Sequence, residues 1–215
     1  WEIGNEIDGG LLWPLGKVGG AGYDAPENHE RFGRLLKAGV RGVRSATVSA
    51  DSVRVMLHYS GGTSASGTQW FFDAVAAQGV PYDLIGFSYY PWWHGGVEAL
   101  RYNLRETALR YDKDIIVVET AYPWREGWTL QGSDPTAMTW PRSASGQAAF
   151  MRSVVTAVAS TPGGRGAGVL WWYPEAINVP GLFVWGNGAL SLFDYTGRLL
   201  PAGRVFGERS ESSAR

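Results

Sequence analysis

Apolar and polar positions alternate between two periods along the chain. Short runs of consecutive apolar or β-branched residues occur at Trp1 to Gly4, Ser52 to His58, Leu84 to Tyr89, Ile115 to Glu119 and Gly168 to Trp172. Between them lie longer stretches with apolar residues three or four apart, at Asn28 to Ala38, Thr68 to Gln78, Val97 to Tyr111 and Ala144 to Ser160, with a short one near Leu199 to Phe206. The first kind predicts strands and the second predicts helices. "DIIVVE", Asp114 to Glu119, is apolar at four consecutive positions, which is how a strand buried on both faces of a parallel sheet reads. Gly39 and Gly79 mark predicted helix ends.

Strand, loop and helix therefore recur in order, and the architecture expected is α/β, either an open doubly wound sheet or a closed (β/α)8 barrel. No G-x-G-x-x-G or P-loop pattern follows any strand, which argues against the nucleotide-binding sheet. Each polar or aromatic cluster follows the C-terminal end of a strand, where barrel active sites lie. Only about five units are visible where a barrel has eight. The expectation is one continuous segment, residues 1–215, holding strands four to eight, with the first three β/α units absent. "SGGTSASG" and "STPGGRG" are too short for domain linkers.

Composition narrows the ligand. Lys and Arg number 19 against 20 Asp and Glu, a net charge of -1, so no electrostatic attraction to nucleic acid or an anionic membrane is expected. The chain has no Cys, which removes disulfides and thiolate chemistry, and no apolar run approaches the roughly 18 residues of a membrane span. It has 11 Trp, 10 Tyr and 8 Phe, and many sit just beyond the apolar runs beside Pro and Gly: Trp13, Tyr89, Tyr90, Trp92, Trp93, Tyr122, Trp124, Trp171, Trp172, Tyr173 and Trp185. Flat amphipathic rings at loop mouths suit a neutral, hydroxyl-rich ligand, which points to carbohydrate.

Two glutamates stand at strand ends among these rings, Glu6 in "WEIGNEIDGGLLWP" and Glu119 in "IIVVETAYPW". Glycoside hydrolysis uses a carboxyl pair, and a separation near 5 Å lets one attack the anomeric carbon while the other protonates the leaving oxygen. "GNEI", "GGLLWP", "VMLHYS", "IGFSYYPWWHG", "VVETAYPW" and "LSLFDYTGRLLPA" occur in an order that resembles the arabinogalactan endo-β-1,4-galactanases of glycoside hydrolase family 53, over nearly the whole chain. The resemblance implies a retaining, endo-acting (β/α)8 hydrolase of β-1,4-galactan, with Glu6 as general acid/base and Glu119 as nucleophile. It implies that Asn5 holds the substrate 2-hydroxyl, that Tyr90 or Tyr89 contacts the nucleophile, and that Trp172 floors the cleavage subsite. His58 and His94 match motif histidines at strand ends five and six, with His94 a sugar contact or a loop brace. Trp13, Trp92 and Trp93 read as sugar platforms, with packing beneath the loop the alternative for one of the last pair, and Asp194 as a turn former. Of the pair, Glu119 is expected to be ionised in the free enzyme and Glu6 to hold its proton.

Two departures from the family pattern stand out. Bacterial members often carry a calcium loop after strand seven, whereas "REGWTLQGSDPTAMTWP" offers only Glu126 and Asp134 as carboxylates, so no metal and no cofactor are expected. "LWWYPEAI" alters the family's strand-eight order, which leaves Glu175 without an assigned role. The complete protein is expected to be a secreted monomer, its signal peptide lying upstream, because a polymeric substrate lies outside the cell. The competing expectations are a mannanase- or cellulase-like endoglycanase and a carbohydrate-binding barrel that has lost catalysis.

Overall fold

The computed structural model describes residues 1–46, 53–128 and 130–208. The chain opens on an extended segment in which Glu2 forms an isolated parallel bridge with Met56. A two-residue antiparallel ribbon follows, β1 (Gly10–Leu11) with β2 (Gly16–Lys17), and then helix α1 (Pro26–Ser45). The rest alternates: β3 (Met56–Tyr59), α2 (Ala65–Ala77), β4 (Leu84–Tyr89), the short α3 (Pro91–His94), α4 (Val97–Tyr111), β5 (Asp114–Thr120), α5 (Ala144–Ala159), β6 (Gly166–Val169) and α6 (Pro201–Val205). Strands β3 to β6 form one parallel sheet in sequence order, the arrangement of successive β/α units expected above.

The predicted elements differ from these chiefly at their ends. Helix α1 runs through Gly39 to Ser45. A Cβ at Gly39 would lie 3.0 Å from Ile3, so this glycine allows the helix to approach the opening segment and does not stop it. Gly79 does end its helix, with φ +62 just beyond α2. The predicted strand over Trp1 to Gly4 is reduced to one bridge, flanked by bonds from Ile3 N–H to Met56 and from Met56 N–H to Trp1, because Gly4 and Glu6 take positive φ and turn the chain away. The strand read from Ser52 starts at Met56, and Ser52 itself lies outside the described residues. Strand β6 ends at Val169, yet Leu170 and Trp172 still donate to Val117 and Thr120 of β5.

The two faces of the sheet differ. Leu57, Ile85, Phe87, Tyr89, Ile115 and Val117 are fully buried on the side that packs on the helices, among them Leu100 and Leu104 of α4 and Phe150, Met151 and Val154 of α5. Burying side chains of this size stabilises by about 1.5–3 kcal/mol each. On the other face Met56, Leu84, Ile116, Val118 and Leu170 line a cavity of about 710 Å³ that opens past Trp1, Glu2 and Trp172. Leu170 and Trp1 are 51% and 75% exposed there.

Candidate active site

The site forms where the C-terminal ends of β3, β4 and β5 meet the turn after the opening segment. Glu6 sits in the left-handed region, φ 46 and ψ 59, just before a single 3-10 turn at Ile7–Gly9. A non-glycine residue held there is strained, and such strain gathers at functional positions. Ile7, 1% exposed, anchors the turn in the core. Asp8 ties it to the β3 loop by accepting from Ser60 N–H and from its hydroxyl, both at 2.9 Å.

Glu119 reaches the same place through an irregularity in β5. Phe87 pairs with Val117 and Ser88 pairs with Glu119, leaving Val118 as an extra residue. Ile116 and Val118 both face the cavity. Strict alternation would then turn Glu119 toward the helices, and the bulge returns it to the cavity side, the kind of re-aiming that bulges perform beside active sites. One oxygen each of Glu6 and Glu119 and one ring nitrogen of His58 all lie within 4.8 Å of one another.

Their surroundings are unequal. Glu119 is 7% exposed and accepts from the Tyr90 hydroxyl at Oε2, 2.8 Å away. Burial raises the Glu119 pKa, the Tyr90 hydrogen bond opposes that rise, and the charge of Glu6 adds to it. The expectation of a readily ionised Glu119 therefore meets a desolvation effect that works against it, and Tyr90 is the group that offsets it. Tyr90 keeps its proton, since burial and the Glu119 charge both push the phenol far up. Its ring is fixed by Trp92, Trp93 and Trp185, with centroids 5.2, 5.3 and 5.6 Å away.

Glu6 accepts at Oε1 from the Ser88 hydroxyl at 2.5 Å. Ser88 Oγ is 2.9 Å from His58 Nε2, and His58 Nδ1 is 2.9 Å from Glu2 Oε1. Ser88 and Glu2 were not singled out by sequence reasoning. For Ser88 the signal was available: β4 alternates, so Ser88 must face opposite to Phe87 and Tyr89 and be the polar residue on the inner side.

The remaining expected site residues divide. Tyr89 is fully buried on the helix side, stacked on Phe150, and donates to Gly95 O, so Tyr90 is the tyrosine at Glu119. His58 is 1% exposed with both ring nitrogens engaged, so it braces the site and does not present itself to a sugar. His94 accepts at Nδ1 from Tyr90 N–H, and burial lowers its pKa to about 4, which makes it a neutral loop brace. Trp92 is 1% exposed beneath the loop, against Trp128 at 5.0 Å. Trp93 and Trp172 are open at 43% and 37%. Trp13 and Asn5 are exposed, Trp13 donating to Gly9 O with Lys17 Nζ 4.3 Å over its ring. Asp194 forms the turn expected of it, accepting from the Thr196 and Arg198 backbone. Glu175 is exposed and lines the large cavity beside Trp172.

Comparison with known proteins places this arrangement in context. The model of glycosyl hydrolase family 53 matches residues 1–206. A protein of Niallia circulans encoded 5′ of bgaB is 39% identical over 211 residues, 93% of this chain and 56% of that protein. The arabinogalactan endo-beta-1,4-galactanase A of Aspergillus niger is 32% identical over 189 residues, 82% of this chain and 49% of its own length. The chain thus spans about half the length of the curated relatives it matches. Among solved structures, the family 53 catalytic domain of Ignisphaera aggregans superposes with a TM-score of 0.82 at 31% identity, over 95% of this chain and 57% of that one. A structure of fungal beta-1,4-galactanases superposes with a TM-score of 0.77 at 28% identity, over 95% of this chain and 60% of that one.

Proposed function

The chain belongs to glycosyl hydrolase family 53, and from that premise we propose that it carries the catalytic pair of a retaining endo-β-1,4-galactanase, with Glu119 as nucleophile and Glu6 as acid/base. The observation that carries the reading is the closeness of the two carboxyls, one oxygen of each lying within 4.8 Å of the other. That distance leaves no room for the water an inverting enzyme places between its carboxyls, which then stand roughly 6.5–9.5 Å apart.

In the first step Glu119 attacks the anomeric carbon and displaces the leaving oxygen, which takes the proton of Glu6. Tyr90 holds the attacking carboxylate in position through Oε2. The glycosyl ester neutralises Glu119. Glu6, now anionic and no longer facing a second charge, takes a proton from water as that water attacks the anomeric carbon and frees Glu119. Trp93 and Trp172, both exposed, are proposed as platforms for neighbouring sugar units, and Asn5, exposed and next in sequence to the acid, as the partner of the 2-hydroxyl. The substrate proposed is the β-1,4-galactan backbone of type I arabinogalactan. The protein is proposed to act outside the cell, where such a polymer lies, and as a monomer.

Proton NMR of galactan during the first minutes of hydrolysis by the full-length protein tests the reading. The first-formed reducing ends are expected to be β. Initial α ends would contradict the double displacement.

A further inference from the structure

The contacts around Glu6 pose a counting problem. Three hydrogen bonds run in series, from Glu2 to His58 Nδ1, from His58 Nε2 to Ser88 Oγ, and from Ser88 Oγ to Glu6 Oε1. With a neutral imidazole and two carboxylates the series holds only two hydrogens, one on the ring and one on the serine, since carboxylates only accept. Three bonds need a third hydrogen, and with Glu2 as a carboxylate two placements satisfy every contact. In one, His58 is an imidazolium that donates to Glu2 and to Ser88, and Ser88 donates to an anionic Glu6. In the other, Glu6 is a carboxylic acid that donates to Ser88, Ser88 donates to His58 Nε2, and His58 Nδ1–H donates to Glu2.

We propose that Glu2, His58 and Ser88 are positioning residues that share one mobile proton with Glu6, so that Ser88 couples the protonation of the acid/base to that of His58. The inference rests on Glu6 being the acid/base. The two placements interconvert when Glu6 passes its proton to Ser88 Oγ as Ser88 passes its own to His58 Nε2, with no net gain or loss. When Glu6 protonates the leaving oxygen, the series falls to two hydrogens. Ser88 then donates to the anionic Glu6, and His58 stays neutral with Nδ1–H on Glu2. When Glu6 takes the proton of the attacking water, the third hydrogen returns, and the cycle balances without a proton from elsewhere. Burial supports the idea, because Ser88 and His58 are 0% and 1% exposed and the bond between them is closed to bulk water. Glu2, whose side chain is 32% exposed, is the solvent end. Among the described residues, Glu119 and Tyr90 are titratable groups that face the series, and they are unchanged in the variants below.

The relay and plain electrostatics give different sizes of effect for Glu2→Gln. Through space alone, removing a negative charge makes Glu6 ionise more easily, and the alkaline limb of the kcat/KM profile moves down. Through the relay, Glu2→Gln also strips the imidazolium of its counter-ion, which weakens the hold of the series on its third hydrogen and moves that limb further down. The expected result is a downward shift of about one pH unit in Glu2→Gln, and a clearly smaller one when the same change is made in Ser88→Ala. Ser88→Thr, which keeps the hydroxyl, should restore the wild-type pattern.

A second readout needs no turnover. The protein has three histidines, so the ring nitrogens of His58 can be followed by 15N NMR beside the carboxyl carbon of Glu6. Both should titrate with a common midpoint in the wild type and separate in Ser88→Ala. Equal limb shifts for Glu2→Gln in both backgrounds, or independent midpoints in the wild type, overturn the relay. An inactive wild type with a shared midpoint would instead overturn the galactanase reading and leave the relay standing.

Discussion

Tyr90→Phe removes one hydroxyl and leaves the ring that Trp92, Trp93 and Trp185 enclose. The lost bond is the one from Tyr90 to Glu119 Oε2 at 2.8 Å. A hydrogen bond to a charged group contributes about 1.5–3 kcal/mol net, and 1.36 kcal/mol corresponds to one pH unit. Tyr90 opposes the burial that raises Glu119, so its loss leaves the rise unchecked by about 1–2 units. Glu119 must be ionised to attack, and its protonation sets the acid limb of the pH profile. That limb should therefore move to higher pH by the same 1–2 units, and at a fixed pH below it activity should fall about 10- to 100-fold. The assay is galactan hydrolysis followed as kcat/KM from acid to neutral pH. A uniform loss at every pH with an unmoved acid limb would refute the reasoning, since Tyr90 would then orient Glu119 without changing its proton affinity.

Glu119→Gln should abolish turnover and raise the Tm at neutral pH. A buried carboxyl with a raised folded-state pKa destabilises the fold above that pKa, so the gain should vanish as the pH falls below about 4, where the unfolded chain is protonated too. Trp92→Ala should cost about 3–5 kcal/mol in denaturant unfolding, because that ring is 1% exposed, whereas Trp93→Ala, at a ring 43% exposed, should raise KM for galactan with little change in stability. Glu6→Ala should keep the first step with aryl β-galactosides that have good leaving groups and give a β-azide product when azide is added. An α-azide would reverse the role assignments.

Much of the frame was legible because apolar runs and helical spacing report burial directly. "DIIVVE" is a strand with both faces covered over most of its length, and α4 spans the residues its periodicity marks. The opening strand was overread, since positive φ at Gly4 and Glu6 depends on where the neighbouring segments lie. Gly39 was misread for a related reason: a glycine that permits close helix packing looks the same in sequence as one that ends a helix. At the site, the two glutamates were visible as carboxyls at strand ends among aromatics. The bulge that turns Glu119 inward was not visible, because a register shift belongs to the pairing of two strands. Trp92 and Trp93 are adjacent and chemically identical, and only the Trp128 and Trp185 rings packed on Trp92 decide which is buried. The His58 and Ser88 contacts join residues 30 positions apart, beyond the reach of any local pattern.

The central claim is that Glu119 attacks the sugar while Glu6, within 4.8 Å of it, handles the proton. The most direct measurement is to incubate the full-length protein with a 2-deoxy-2-fluoro-β-galactoside bearing an activated leaving group, digest it, and map the modified peptide by mass spectrometry. The account predicts one fluorogalactosyl ester, on Glu119, formed in the wild type and absent in Glu119→Gln. An ester on Glu6, or release of sugar without any covalent adduct, would contradict it.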